Sequence, residues 1–183
     1  VRLLRAPGRR SGHDARQRVD RRPAGERARL RGRDRRERPV RRLPLRGSNL
    51  VAGDTNGLTD VFLHDFRTGR TERVSVGGAG QGDGTSFSAS IDRSGRFVLF
   101  GSDATNLVGG DTNDVTDVFV RDRTAGTTRR ISLTAAGGQA NGGSLYGEIS
   151  ADGRVAAFVS DARNLVRADT NRSPDVFVRG LAP

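Results

Sequence analysis

The feature that most constrains what this chain can fold into is an internal repeat. Asn49-Leu50-Val51-Ala52-Gly53-Asp54-Thr55-Asn56 recurs as Asn106-Leu107-Val108-Gly109-Gly110-Asp111-Thr112-Asn113 and again as Asn164-Leu165-Val166-Arg167-Ala168-Asp169-Thr170-Asn171, at spacings of 57 and 58 residues. Each copy runs on into Asp-Val-Phe and an aliphatic residue: Asp60 to Leu63, Asp117 to Val120, Asp175 to Val178. Upstream, Ile91-Asp92-Arg93-Ser94-Gly95-Arg96 answers Ile149-Ser150-Ala151-Asp152-Gly153-Arg154, again 58 apart. A regular period of this kind marks a chain that stacks one supersecondary unit on the next, because no single unit can bury its own apolar face.

Each period reads as four short strands. Phe87 to Ile91 and Arg96 to Gly101 flank a turn of Asp, Ser and Gly, residues that supply the backbone angles of a tight hairpin. Asp117 to Asp122 and Thr128 to Leu133 flank a second turn, Arg123-Thr124-Ala125-Gly126-Thr127. No stretch of 47–183 keeps an apolar i, i+3, i+4, i+7 pattern, so helices are not expected. Phe97-Val98-Leu99-Phe100 and Val155-Ala156-Ala157-Phe158-Val159 are apolar at consecutive positions. Neighbouring side chains of a strand point to opposite faces, so these strands need cover on both sides. Stacked propeller blades give that cover. A β-sandwich is the alternative, but it has no reason to repeat at this period.

Ile149-Ser150-Ala151-Asp152-Gly153-Arg154-Val155-Ala156-Ala157-Phe158 resembles the Ser-x-Asp-Gly…Ala-Phe signature of TolB-like, WD-repeat-like bacterial propeller blades. Asp175-Val176-Phe177-Val178 resembles the third strand of such a blade. The resemblance covers 47–183, with two departures. The Asn-Leu-Val-x-x-Asp-Thr-Asn loop lengthens the period between the second and third strands, and the middle copy has Asp92-Arg93-Ser94-Gly95 where the signature has Asp-Gly. The expected fold is all-β: an incomplete β-propeller of about 2.4 four-stranded antiparallel blades over 47–183, part of a longer ring, since closed propellers hold roughly four to eight blades. The resemblance implies an envelope-associated or extracellular location.

Residues 1–46 stand apart. They carry 18 arginines against five acids, whereas the remainder carries 14 arginines against 16 acids, so the net charge of +11 belongs to the first quarter of the chain. High charge with few large apolar residues predicts a disordered tail. One reading is an arm that neutralises phosphates on nucleic acid or anionic lipid; it has no aromatic residue to stack on bases. The other is a displaced reading frame. Synonymous codons exist for 34–43 that, read one base later, encode Ile-Asp-Ala-Ser-Gly-Arg-Tyr-Val-Ala-Phe, in register with Ile91 to Phe100. On that reading, which makes nucleic acid an unlikely partner, the frame is restored near Gly47. The start at Val and the lack of Met carry the expectation that the natural beginning lies upstream.

With no Cys, neither a disulfide nor a thiolate metal site can form. No run of 18 apolar residues exists to span a membrane. The strongest polar constellation is the repeated Asp-x-Asn-x-x-x-Asp: Asp54, Asn56, Asp60; Asp111, Asn113, Asp117; Asp169, Asn171, Asp175. Calcium takes oxygen ligands from such short loops. The EF-hand pattern is not met, because position six is Thr59, Thr116 or Pro174 and position twelve is Asp65, Asp122 or Gly180. The alternative use of these side chains is to bond their own backbone as Asx-turns. Gly77-Gly78-Ala79-Gly80-Gln81-Gly82-Asp83 is similar to a calcium nonapeptide, but its Asp is one place late; a flexible loop is the plainer reading. His64 and His13 are the two histidines, and no Gly-x-Ser-x-Gly elbow accompanies either. Tyr146 aligns with Ser88 and reads as a core or surface aromatic.

A non-catalytic binding or scaffolding propeller, engaging a protein or glycan through loops at one end, is therefore expected. The alternatives are an accessory propeller of a larger hydrolase or peptidase, and a nucleic-acid-binding arm on a β module.

Overall fold

The computed structural model describes residues 49–181 and the backbone of Val40–Leu45. Among the described residues there are twelve strands and no helix: β1 Val40–Leu45, β2 Asp60–Asp65, β3 Arg70–Arg73, β4 Val76–Gly77, β5 Gly80–Gln81, β6 Ser86–Ile91, β7 Phe97–Ser102, β8 Asp117–Asp122, β9 Thr127–Arg130, β10 Ser144–Ile149, β11 Val155–Ser160 and β12 Asp175–Gly180. They form three repeat-related antiparallel sheets, β1-β2-β3, β6-β7-β8-β9 and β10-β11-β12, with β4-β5 as a small separate ribbon. The middle sheet is a complete four-stranded blade. The first holds the second to fourth positions of the repeat, and the last holds the first to third.

Local chemistry sets the hairpins. In the turn between β6 and β7 the Asp92 carboxylate accepts the backbone N–H groups of Ser94 and Phe97, both at 2.9 Å. Gly95 takes the left-handed conformation there (φ 74°), as Gly153 does one repeat later (φ 73°). Between β8 and β9, Asp122 Oδ1 accepts from Thr124 N at 2.9 Å and Ala125 N at 3.0 Å. These Asx-turns are the side-chain-to-backbone bonds that the Asp-rich turns call for. A bulge interrupts the first strand of both later blades, with Ser88 (φ 49°) and Tyr146 (φ 51°) at its centre.

The consecutive apolar residues are covered on both faces, as strand geometry demands. From β7 and β8, Val98, Phe100 and Phe119 pack with Val61, Leu63 and Val74 of the first blade. Their neighbours Leu99, Val118 and Val120 pack with Ile149, Ala156 and Phe158 of the last blade. Gly147 on β10 permits the close approach of that last blade, since a Cβ built there would lie 2.2 Å from Leu99 Cδ2. Backbone bonds reinforce the stack, with Arg93 N donating to the Ala151 carbonyl at 2.7 Å.

Val40–Leu45 pairs along the edge of β2, Val40 facing Asp65 and Leu45 facing Asp60. That is the register of β7 on β8, where Phe97 faces Asp122 and Ser102 faces Asp117, displaced by one period. Main-chain hydrogen bonds do not read side chains, so a strand whose sequence lacks the repeat can still occupy the repeat's place. The remaining part of the 1–46 expectation lies outside the described residues.

Candidate functional site: the Asp-x-Asn loops

Each Asp-x-Asn loop joins the second strand of a blade to the third. In the middle blade, Arg130 at the end of β9 reaches back over this loop. Its Nη1 lies 2.8 Å from Asp111 Oδ1, 2.9 Å from Asp117 Oδ2 and 2.9 Å from Gln139 Oε1. The side chains of Arg130, Asp111 and Asp117 are only 6 %, 4 % and 1 % exposed. Ser132 Oγ donates to Asp117 Oδ1 and accepts the N–H of Val118 at 3.1 Å. Asn113 Nδ2 donates to Asp117 Oδ2 at 3.4 Å and to the Ala140 carbonyl at 3.1 Å.

The first blade repeats the arrangement with Arg73 in place of Arg130. Arg73 Nη2 is 3.1 Å from Asp54 Oδ1, Nε is 3.5 Å from Asp60 Oδ2, and Nη1 donates to Gln81 Oε1. Ser75 Oγ donates to Asp60 Oδ1 at 2.6 Å and accepts Val61 N–H at 3.1 Å. Asn56 Oδ1 accepts Leu58 N–H at 3.0 Å, while its Nδ2 donates to Asp60 Oδ2 at 3.2 Å and to the Gly82 carbonyl at 3.0 Å. Asn56 thus forms an Asx-turn with Leu58, whereas Asn113 Oδ1 in the middle copy is buried with no hydrogen-bond partner.

Two carboxylates buried together need a counter-charge, and a guanidinium supplies one along with several directed donors. Burial pushes the Asp111 carboxyl above its usual range; the charge of Arg130 opposes that shift, and nearby Asp117 adds to it. In these two copies a calcium ion would have to take the place that Arg73 or Arg130 holds between the carboxylates. Among the described residues, no group of three or more His, Cys, Asp and Glu side chains is arranged to hold a metal ion.

The third copy differs. Asn171 Oδ1 accepts Ser173 N–H at 2.9 Å, and Nδ2 lies 3.3 Å and 3.2 Å from the two oxygens of Asp175. Asp169 Oδ1 is shut off from solvent and has no hydrogen-bond partner. No guanidinium lies between Asp169 and Asp175 among the described residues. An open groove of about 610 Å³ is lined there by Asp169, Asn171, Asp175, Val176 and Val178.

In the second and third loops the Leu is a structural plug: Leu107 and Leu165 are buried in the two cores. The Asn beside it ties down the connector from the preceding blade. Asn106 accepts from Asp83 N at 3.1 Å and donates to the Gln81 carbonyl at 3.0 Å; Asn164 does the same with Asn141 N at 3.0 Å and the Gln139 carbonyl at 2.8 Å. The glycine-rich stretch after Val76 forms the β4-β5 ribbon. A Cβ at Gly77 would lie 2.5 Å from the Leu107 carbonyl oxygen, so close backbone approach accounts for that glycine. His64 Nδ1 bonds Thr71 Oγ1 across the β2-β3 pair at 2.9 Å and meets Phe66 edge-on, with ring centroids 4.6 Å apart. Tyr146 is exposed.

Sequence reasoning missed the fourth-strand members of the network, Arg73, Ser75, Arg130 and Ser132. The signal was present: Arg73-Val74-Ser75 and Arg130-Ile131-Ser132 obey the same 57-residue period, and Gln81 and Gln139 follow at 58.

No family model matches the chain, and no curated protein matches it. Among solved structures, the chain is similar to TolB from Acinetobacter baumannii, at 22 % identity and a TM-score of 0.41, over 69 % of this chain and 25 % of that one. It is also similar to the putative TolB from Agrobacterium tumefaciens, at 18 % identity and a TM-score of 0.44, over 69 % of this chain and 39 % of that one. The chain therefore spans between a quarter and two fifths of the length of these structures. No helix among the described residues is long and apolar enough to cross a membrane.

Proposed function

We propose that this chain is a non-catalytic binding or scaffolding module that presents loops from stacked β-blades to a protein or glycan. One observation carries the reading. The polar residues repeated in every copy, which would be the natural candidates for chemistry, are engaged in the first two copies with the fold's own backbone and with Arg73 or Arg130. A repeated network that holds loops in place, with no activated nucleophile attached, fits a rigid platform better than a reaction centre. Glycan and peptide arrays probed with the purified chain test this. Retention abolished by loop substitutions at one end of the blades supports it; turnover of ester or peptide substrates that His64→Ala abolishes overturns it.

Calcium in the Asp-x-Asn loops is a second reading, favoured at the third copy because Asp169 Oδ1 is unpartnered and no guanidinium pairs with Asp169 or Asp175 among the described residues, as Arg73 and Arg130 do in the other two. There Asp169, Asn171 and Asp175 would supply side-chain oxygens, with carbonyls and water completing the shell. Calorimetric titration with calcium checks it: heat that disappears in Asp169→Asn supports the ion, and a flat trace removes it.

A further inference from the structure

Two steps among the described residues put asparagine directly before glycine, Asn56-Gly57 and Asn141-Gly142. Asparagine is chemically labile, because the amide nitrogen of the next residue can attack its side-chain carbonyl, and glycine has no side chain to hinder that approach. The fold treats the two steps differently. Asn56 is half-buried and its side chain is held at both ends. Its Oδ1 accepts Leu58 N–H at 3.0 Å, and its Nδ2 donates to Asp60 Oδ2 at 3.2 Å and to the Gly82 carbonyl at 3.0 Å. Asn141 is exposed in the connector between β9 and β10. Its Oδ1 accepts Arg163 N–H at 2.8 Å, while its Nδ2 has no partner among the described hydrogen bonds. Packing also requires the glycine that follows. A Cβ at Gly142 would lie 2.8 Å from Ala162 N, as one at Gly84, a repeat earlier, would lie 2.5 Å from Ala104 N.

The preceding copy already carries the acid at this place. Asp83 stands one repeat before Asn141, and its carboxylate accepts from Thr105 N at 2.7 Å and Thr105 Oγ1 at 2.9 Å. Both residues also donate their own N–H in the same way, Asp83 to Asn106 Oδ1 at 3.1 Å and Asn141 to Asn164 Oδ1 at 3.0 Å. Asp83 is exposed with a complete blade beyond it, so the exposure of Asn141 belongs to its place in the repeat.

We propose that Asn141 is a site of spontaneous deamidation, whereas the fold protects Asn56. The Gly142 amide nitrogen gives its proton to solvent base and bonds to Asn141 Cγ. Negative charge develops on Oδ1, where the Arg163 N–H already donates. The Cγ–Nδ2 bond then breaks and ammonia leaves. Water opens the resulting five-membered imide: cleavage at Cγ gives aspartate, and cleavage at the main-chain carbonyl carbon gives isoaspartate, with an extra methylene in the backbone. Aspartate reproduces the arrangement of Asp83 and places a negative charge beside Arg163. Isoaspartate strains the neighbouring Gly143 carbonyl, which accepts both Asp161 N–H and Ser160 Oγ at 2.9 Å.

The test holds the purified full chain in mildly alkaline buffer, where the amide nitrogen loses its proton more readily, and follows both steps by peptide mass mapping. In the folded chain Asn141 should convert at least about tenfold faster than Asn56, because two donated hydrogen bonds tether the Asn56 leaving nitrogen. In urea, where both side chains are free, the two rates should converge. Asn141→Gln should remove the product at this position and leave Asn56 unchanged. Asn141→Asp should keep the melting temperature, since the acid is already accommodated at Asp83. Equal rates in the folded chain, faster conversion at Asn56, an intact Asn141 after the urea sample has reacted, or a lowered melting temperature in Asn141→Asp would each overturn the proposal.

Discussion

The middle and last blades carry nearly the same residues on nearly the same backbone, yet the physical state of those residues differs. Val118 and Val120 on β8 are 0 % and 1 % exposed, whereas Val176 and Val178, their counterparts on β12, are each 71 % exposed. Asp117 has a guanidinium and a serine against it; Asp175 has Asn171 alone among the contacts described. The difference lies in what stands next to each blade. In a stacked repeat, a residue's contribution to stability is set by its neighbour as much as by its own blade.

The largest expected effect puts a charge into one member of each pair. Val118→Asp buries an unpaired carboxylate and should cost more than about 4 kcal/mol, enough to prevent folding, while Val176→Asp should stay within about 0.5 kcal/mol. Urea unfolding of the two variants measures the contrast, and equal losses would break it.

Removing the counter-charge comes next. Arg130→Ala leaves Asp111 and Asp117 buried together and should cost about 3–5 kcal/mol, with part recovered in the Arg130→Ala/Asp111→Asn double variant. Asp175→Asn, on the half-buried counterpart that no guanidinium faces among the described residues, should cost under about 1 kcal/mol by the same measurement.

A smaller effect tests the stacking distance. Gly147→Ala forces a methyl into Leu99 and should cost about 1–3 kcal/mol, whereas Gly180→Ala meets nothing within 4 Å and should be near neutral in thermal melts.

The smallest effect concerns Asp122, whose carboxyl is held down to about 2, first by its hydrogen bonds with Arg96. A depressed carboxylate stabilises the fold at pH values above its unfolded pKa and loses that contribution as pH falls from there through about 2. Arg96 is exposed, so solvent screens the bridge and its contribution to stability is small. Arg96→Ala should flatten the acid limb between pH 4 and 2 and lower stability only slightly above it, which pH-dependent melting would read.

Much of this architecture was legible in the sequence because the signals are local. The Asp-Ser-Gly turns and consecutive apolar runs act within a few residues, and hairpin closure and two-sided burial follow from them. The Asp-x-Asn loops were legible as constellations but not as a site. Their decisive partners, Arg130, Ser132 and Gln139, lie 13 to 27 residues away, and nothing local marks them as members of one network.

The sequence by itself determined the period, the four-strand unit and the demand for cover on both faces, since alternation along a strand is fixed by backbone geometry. Only the tertiary structure decided that guanidinium groups from the fourth strand stand between the paired carboxylates, because that contact exists only once the sheet brings distant residues together. It also decided the place of β1. There the backbone pairing offered by β2 prevailed over a sequence that does not match the repeat.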